Sequence, residues 1–165
     1  MKLFKTLKLI LLFFLYSSDI FATEVPQFLN WESKYIKLNP QIIDSEGHNA
    51  FVDIYVNKIA KSSYVNSSKT FPEGSIILKP LYADMYRKEM ARLVVMKKMK
   101  KGYDPKNSDW WYGVYDETGT EGWYTGIIKS CIHCHETARK TDYLFTQSVM
   151  FEIREFIDFE ALDDS

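Results

Sequence analysis

"KSCIHCHETARKTDYLF", residues 129–145, holds both cysteines of the chain and two of its three histidines. Within it Cys131-Ile132-His133-Cys134-His135 spaces two thiols about one helical turn apart and sets an imidazole directly after the second. Thiols so placed can add to the two vinyl groups of a haem, while His135 comes under the iron as its proximal ligand. Two other chemistries compete for these residues. Structural zinc needs four protein ligands; the chain has no other cysteine, and His133, His135 and the distant His48 make a poor set. A thioredoxin-like redox pair belongs at the start of a helix after a strand, in a βαβ setting, and would leave His135 idle. One covalently bound haem c is the reading that uses both thiols and the final imidazole together. His133, inside the motif's loop, reads as a surface residue.

The opposite end of the chain bears on the same question. Lys2, Lys5 and Lys8 precede the apolar run "LILLFFLY" (residues 9–16), and small and polar residues lead to Ala22. This is the pattern of a Sec signal peptide over residues 1–22, cleaved after about Ala22. The apolar run is short for a bilayer span; the competing reading is an uncleaved N-terminal anchor. The expected mature chain, residues 23–165, is one mono-haem domain, periplasmic and free of the membrane once the leader is cut. Covalent haem attachment takes place outside the cytoplasm, so export and motif agree independently. Without Lys2, Lys5, Lys8 and Asp19 the 21 basic and 22 acidic side chains become 18 and 21, a formal charge of −3. That balance carries no nucleic-acid footprint.

The rest of the chain predicts a β-rich domain with helices at its ends. Phe28, Leu29, Trp31, Tyr35 and Ile36 recur at helical intervals in "QFLNWESKYIKL", residues 27–38, which predicts a first amphipathic helix. "AFVDIYVN", residues 50–57, alternates as a strand with Val52, Ile54 and Val56 on one face. A short helix follows through "NKIAKSSY". "FPEGSIILKP", residues 71–80, reads as a Pro-Glu-Gly turn feeding a strand that Pro80 ends. On that strand Lys79 shares a face with Ser75 and Ile77. "ARLVVMKKM" and "DWWYGVYD" predict two more strands, although good helix formers make a helix over residues 81–101 the competitor to the first of them. "ETGTEG" is the turn after the second. Val149, Ile153, Phe156 and Ile157 predict a C-terminal helix. Lys97, Lys98, Lys100 and Lys101 read as a solvated strand end, or as a docking patch for an acidic partner.

Trp31, "IYVN" (residues 54–57), "FPEGSIILK" (residues 71–79), "DWWYGVYD" and above all "CIHCHETARKTDYLF" resemble the cytochrome P-460 family and its sibling, cytochrome c-prime-beta, over most of the mature chain. The resemblance implies an α+β fold with a mainly antiparallel sheet, a homodimer, and one five-coordinate c-type haem with an open distal face. It implies two activities: oxidation of hydroxylamine, in concert with nitric oxide, with electrons leaving to a soluble cytochrome, or binding of nitric oxide or carbon monoxide without turnover. It places at Lys79 the lysine that bonds to a haem meso carbon. The distal arginine of enzymatic members falls on Val52, leaving His48 and Asp53 as the nearby groups for a catalytic proton acceptor or hydrogen-bond donor. Phe51 and Phe71 would instead form a dry cap suited to neutral diatomics. A plain electron carrier would need a firm sixth ligand, for which Met85, Met90, Met96, Met99 and Met150 are available.

Overall fold

The computed structural model describes residues 25–154. The leader expected at residues 1–22 lies outside the described residues, as do Phe156 and Ile157. Eight strands form one antiparallel sheet: β1 (Ile36–Lys37), β2 (Ile43–Ser45), β3 (Ala50–Val52), β4 (Tyr55–Val56), β5 (Ile76–Tyr82), β6 (Met90–Lys98), β7 (Trp110–Tyr115) and β8 (Gly122–Gly126). The main order is β1-β4-β5-β6-β7-β8, and the β2–β3 hairpin joins the far end of β5 through Phe51↔Tyr82 and Val52↔Leu81. Among the described residues four α-helices accompany it: α1 (Trp31–Lys34), α2 (Lys58–Val65), α3 (Lys129–His135) and α4 (Thr146–Ile153). Among the described residues no helix is long and apolar enough to cross a membrane.

The period-2 patterns separate two cores, because alternate side chains leave opposite faces of a strand. On one face Val56, Ile77 and Met96 pack under α2, α3 and α4 through Ala60, Tyr64, Ile132, Val149 and Ile153. On the other, Leu78, Val95, Trp111 and Tyr115 pack with Phe28 and Trp31. The Pro-Glu-Gly turn forms as expected: Ser75 N–H donates to the Pro72 carbonyl at 3.1 Å and Gly74 takes φ +84°, a conformation that favours glycine. Asn57 caps α2, its side chain accepting from the Ala60 N–H.

Three expectations are corrected. The helix over residues 27–38 is a single turn, α1: Asn30 sits in the left-handed region before it and Tyr35 is extended after it, and Ile36 pairs with Val56 instead. The strand over residues 50–57 is two short strands broken at Asp53 and Ile54. Pro80 does not end β5. It lies inside the strand, opposite Leu93, and the register of β3 and β4 places it across from the break. The strand at "ARLVVMKKM" forms, rather than the competing helix, because Val94, Val95 and Met96 are held between β5 and β7.

Candidate functional site

The helix α3 carries Cys131, Cys134 and His135 within one arc of its surface, since residues three and four apart are neighbours there. His133 points away and is exposed. Both cysteines are free. They and His135 line a cavity of about 320 Å³ between α3 and the sheet. The sheet supplies Ile77 and Lys79 from β5, Arg92, Val94 and Met96 from β6, and Tyr112 from β7. Their common face follows from the pairings Ile77↔Met96, Lys79↔Val94 and Met96↔Tyr112. His48 enters from the β2–β3 connection.

His135 is held from behind. Its Nδ1–H donates to the Tyr143 carbonyl at 2.6 Å; a carbonyl can only accept, so the proton sits on Nδ1 and Nε2 keeps its lone pair. Tyr143 can present that carbonyl because it and Asp142 take positive φ of 67° and 55° after the turn that follows α3. Asp142 is pinned in turn: its carboxylate accepts from the Phe71 N–H at 2.7 Å and from Lys98 Nζ at 2.6 Å, and its carbonyl accepts from Trp110 Nε1 at 2.7 Å. The rings of Tyr112 and Phe145 flank His135 at 5.8 and 5.3 Å between centroids, and that of His48 stands at 6.4 Å. Ser45 Oγ lies 2.9 Å from His48 Nδ1.

The electrostatics are one-sided. Lys79, Arg92 and two histidines line the cavity, and among the described residues no carboxylate does. Burial lowers the His48 pKa to about 3, with Lys79, His135 and Arg92 adding to the shift, and burial and Lys79 lower that of His135 to about 4. Both imidazoles are therefore neutral at physiological pH, the form that ligates a metal. Burial brings Lys79 down to about 8. The Tyr112 hydroxyl is buried in the cavity wall and has no hydrogen-bond partner among the described residues. Two thiols, a bare imidazole nitrogen, apolar walls and excess positive charge fit a porphyrin, which is flat, apolar and edged with carboxylates. Cys131, Cys134 and His135 would hold it, with Arg92 and Lys79 offsetting its charge.

The structure brings Cys131, Cys134, His135, Lys79 and His48 together and leaves Asp53 elsewhere. Asp53 lies on the opposite side of the sheet, beside a separate polar cavity, its carboxylate bound by Arg87 at 2.7 Å, Lys37 at 3.0 Å and Asn39 at 3.0 Å. Neither Phe51 nor Phe71 lines the haem-side cavity; Phe71 packs between Tyr64 and Trp110. Of the methionines considered as ligands, only Met96 lines it. Lys98 is not part of a solvated strand end, since it turns inward to Asp142 and over the Trp110 ring. Sequence reading missed Arg92 and Tyr112, although the register between β5 and β6 would have placed Arg92 on the face of Lys79. The Tyr143 carbonyl had no signal to give, because a backbone group leaves no mark in the residue type.

A sheet face closed by a helix with paired thiols and an Nδ1-tethered histidine defines a haem-binding protein, a cytochrome. A family model described as Cytochrome P460 matches residues 27–146, and the chain belongs to that family. No curated protein matches it.

Proposed function

We propose that this chain carries one haem through thioethers to Cys131 and Cys134 with His135 as proximal ligand, works in the periplasm, and takes small nitrogen species on the face opposite His135. The observation that carries the reading is the convergence of both thiols, the Nδ1-tethered His135 and the buried Lys79 on one cavity. The haem, when bound, supplies a redox-active iron able to take a ligand such as nitric oxide. The chain supplies the rest. Tyr143 orients His135, Ile77, Val94 and Met96 exclude water, and Arg92 and Lys79 offset carboxylates.

His48 shares the cavity with His135. With its pKa lowered to about 3 it is a weak proton acceptor at neutral pH, far from the matched basicity that proton abstraction favours. This supports binding of a neutral diatomic over oxidation of hydroxylamine. Lys79 supports the second, oxidative reading: burial brings its amine to about 8, closer to the neutral form than an ordinary lysine, at the position where the resemblance places the haem-bonded lysine. The experiment is an optical spectrum of protein matured in an export-competent host, ferric and ferrous, with nitric oxide and with hydroxylamine, alongside mass spectrometry of the Lys79 peptide. The binding reading expects a spectral change with nitric oxide, no turnover of hydroxylamine and a Lys79 peptide free of haem. Turnover together with a haem-modified Lys79 would establish the oxidative one, and colourless protein would overturn both.

A further inference from the structure

We propose that His48 is a second axial ligand, so that the resting protein holds its haem between two histidines and a small ligand must displace His48 to reach the iron. The proposal rests on the haem reading above, and it departs from the five-coordinate, open-faced haem that the family resemblance implies.

The spacing of the two imidazoles decides between ligation and a mere pocket role. Their centroids are 6.4 Å apart and both rings line the same cavity. An imidazole nitrogen binds a transition metal at about 2 Å, with its ring centre roughly 1.2 Å further back, so two rings sharing one metal stand ~6.4 Å apart. If His48 instead donated a hydrogen bond to a metal-bound diatomic, the ligand's own length and a contact of about 3 Å would intervene, and the rings would stand ~8 Å apart or more. The observed separation fits the first arrangement.

The ring nitrogens point the same way. His135 is tied at Nδ1 by the Tyr143 carbonyl and His48 at Nδ1 by Ser45 Oγ, and among the described residues no hydrogen bond engages Nε2 of either ring. A histidine ligand to a metal characteristically has its other nitrogen engaged in this way. His48 also sits where withdrawal would leave the main sheet intact. It ends a 3-10 turn, Glu46–His48, at the tip of the β2–β3 hairpin, and Asn49 after it takes φ 47°. The hairpin joins the sheet through only two residue pairs of β3 with β5, so its tip can withdraw without unpairing the strands that carry Lys79 and Met96. Ser45 is then a positioning residue and His48 the ligand.

The test is the ferric absorption and electron paramagnetic resonance spectrum of the full chain isolated with its haem. A six-coordinate, low-spin spectrum without the methionine-sulfur charge-transfer band is expected for the native protein. His48→Ala should lose the low-spin signal and regain it on addition of free imidazole. If His48 occupies the iron in ~99% of molecules, the ferrous His48→Ala protein binds carbon monoxide about 100-fold more tightly. Ser45→Ala should lower the low-spin share and Ser45→Thr restore it. A haem-loaded, high-spin native protein would overturn the ligation and leave the haem reading standing. So would a His48→Ala spectrum identical to the native one, or a methionine band, which would assign the place to Met96. Protein matured without haem would overturn both.

Discussion

Asp142→Asn isolates the contact that fastens the haem motif to the sheet. The Asp142 and Lys98 side chains are 3% and 13% exposed, so the pair is nearly out of water. Asparagine tolerates the left-handed backbone at this position and keeps an oxygen to accept from the Phe71 N–H, so neither strain nor an orphaned donor confuses the result. What the variant loses is the charge facing Lys98. Removing one member of a buried pair costs ~3–5 kcal/mol, because the other charge stays buried and unpaired. The Trp110 ring, 4.9 Å from Lys98 Nζ, returns part of that. The expected loss is about 3 kcal/mol, or roughly 10 °C in Tm for a domain of this size. Lys98→Met alone should lose a similar amount. The double variant should lose much less than the sum, with a coupling of at least ~2 kcal/mol, since no charge is then left without its partner. Urea unfolding followed by circular dichroism reads all four proteins. An Asp142→Asn midpoint equal to the native one, or strict additivity in the double variant, would refute the reasoning.

Three further outcomes follow from the same geometry. Acidified acetone should extract haem from the Cys131→Ala/Cys134→Ala protein and not from the native one, and the single variants should each keep one thioether, read by intact mass. Gly113→Ala would set a Cβ 2.5 Å from Tyr115 Cε2 and 2.6 Å from Trp111 Cη2, so these two rings of the second core must shift; overpacking of this kind costs ~1–3 kcal/mol and should show as a lower urea midpoint. Burial raises the Asp53 pKa, but the hydrogen bonds from Arg87 and Lys37 outweigh it and hold the carboxyl below its ordinary value. Such a group stabilises the fold fully above the ordinary carboxylate pKa of about 4, and that contribution is lost as pH falls through the folded value. Asp53→Asn should therefore flatten the acid limb of a urea-midpoint profile below about pH 4.

The motif, the sheet and the face of Lys79 were legible because each depends on spacing alone. Two thiols and a histidine in fixed order need no tertiary information, and the alternation around Ile77 and Lys79 carries through to the cavity wall. The misread places are those where a tertiary partner overrides a local period. Trp31 looked helical with its neighbours, yet its indole donates to the Glu117 carbonyl at 3.0 Å and stacks edge-on with Tyr55, which ends the helix after one turn. Lys98 looked like one of four solvated lysines until Asp142, 44 positions away, supplied its charge partner. Asp53 looked like a pocket residue by its nearness in sequence to His48. The backbone leaves the sheet at Asp53, between β3 and β4, and its carboxylate is turned to Arg87 on the other side.

Pro80 explains why the strand over residues 50–57 breaks and how the break serves the site. The ladder from β5 to β6 runs through Pro80↔Leu93 without interruption, so the missing N–H falls on the side of β3 and β4. Opposite it the backbone of Asp53 and Ile54 leaves the sheet, and its polar groups would be stranded in a buried setting without other partners. Asn39 supplies them. Its side-chain oxygen accepts from the Ile54 N–H at 2.7 Å, its amide donates to the Val52 carbonyl at 3.3 Å and to Asp53 at 3.0 Å, and the Ile54 carbonyl accepts from the Leu38 N–H at 2.9 Å. The fully buried Asn39 side chain and the Leu38 N–H therefore replace the lost ladder. The consequence is positional: β5 presents Lys79 immediately before the proline, and the segment held by Asn39 continues backward into the hairpin that presents His48.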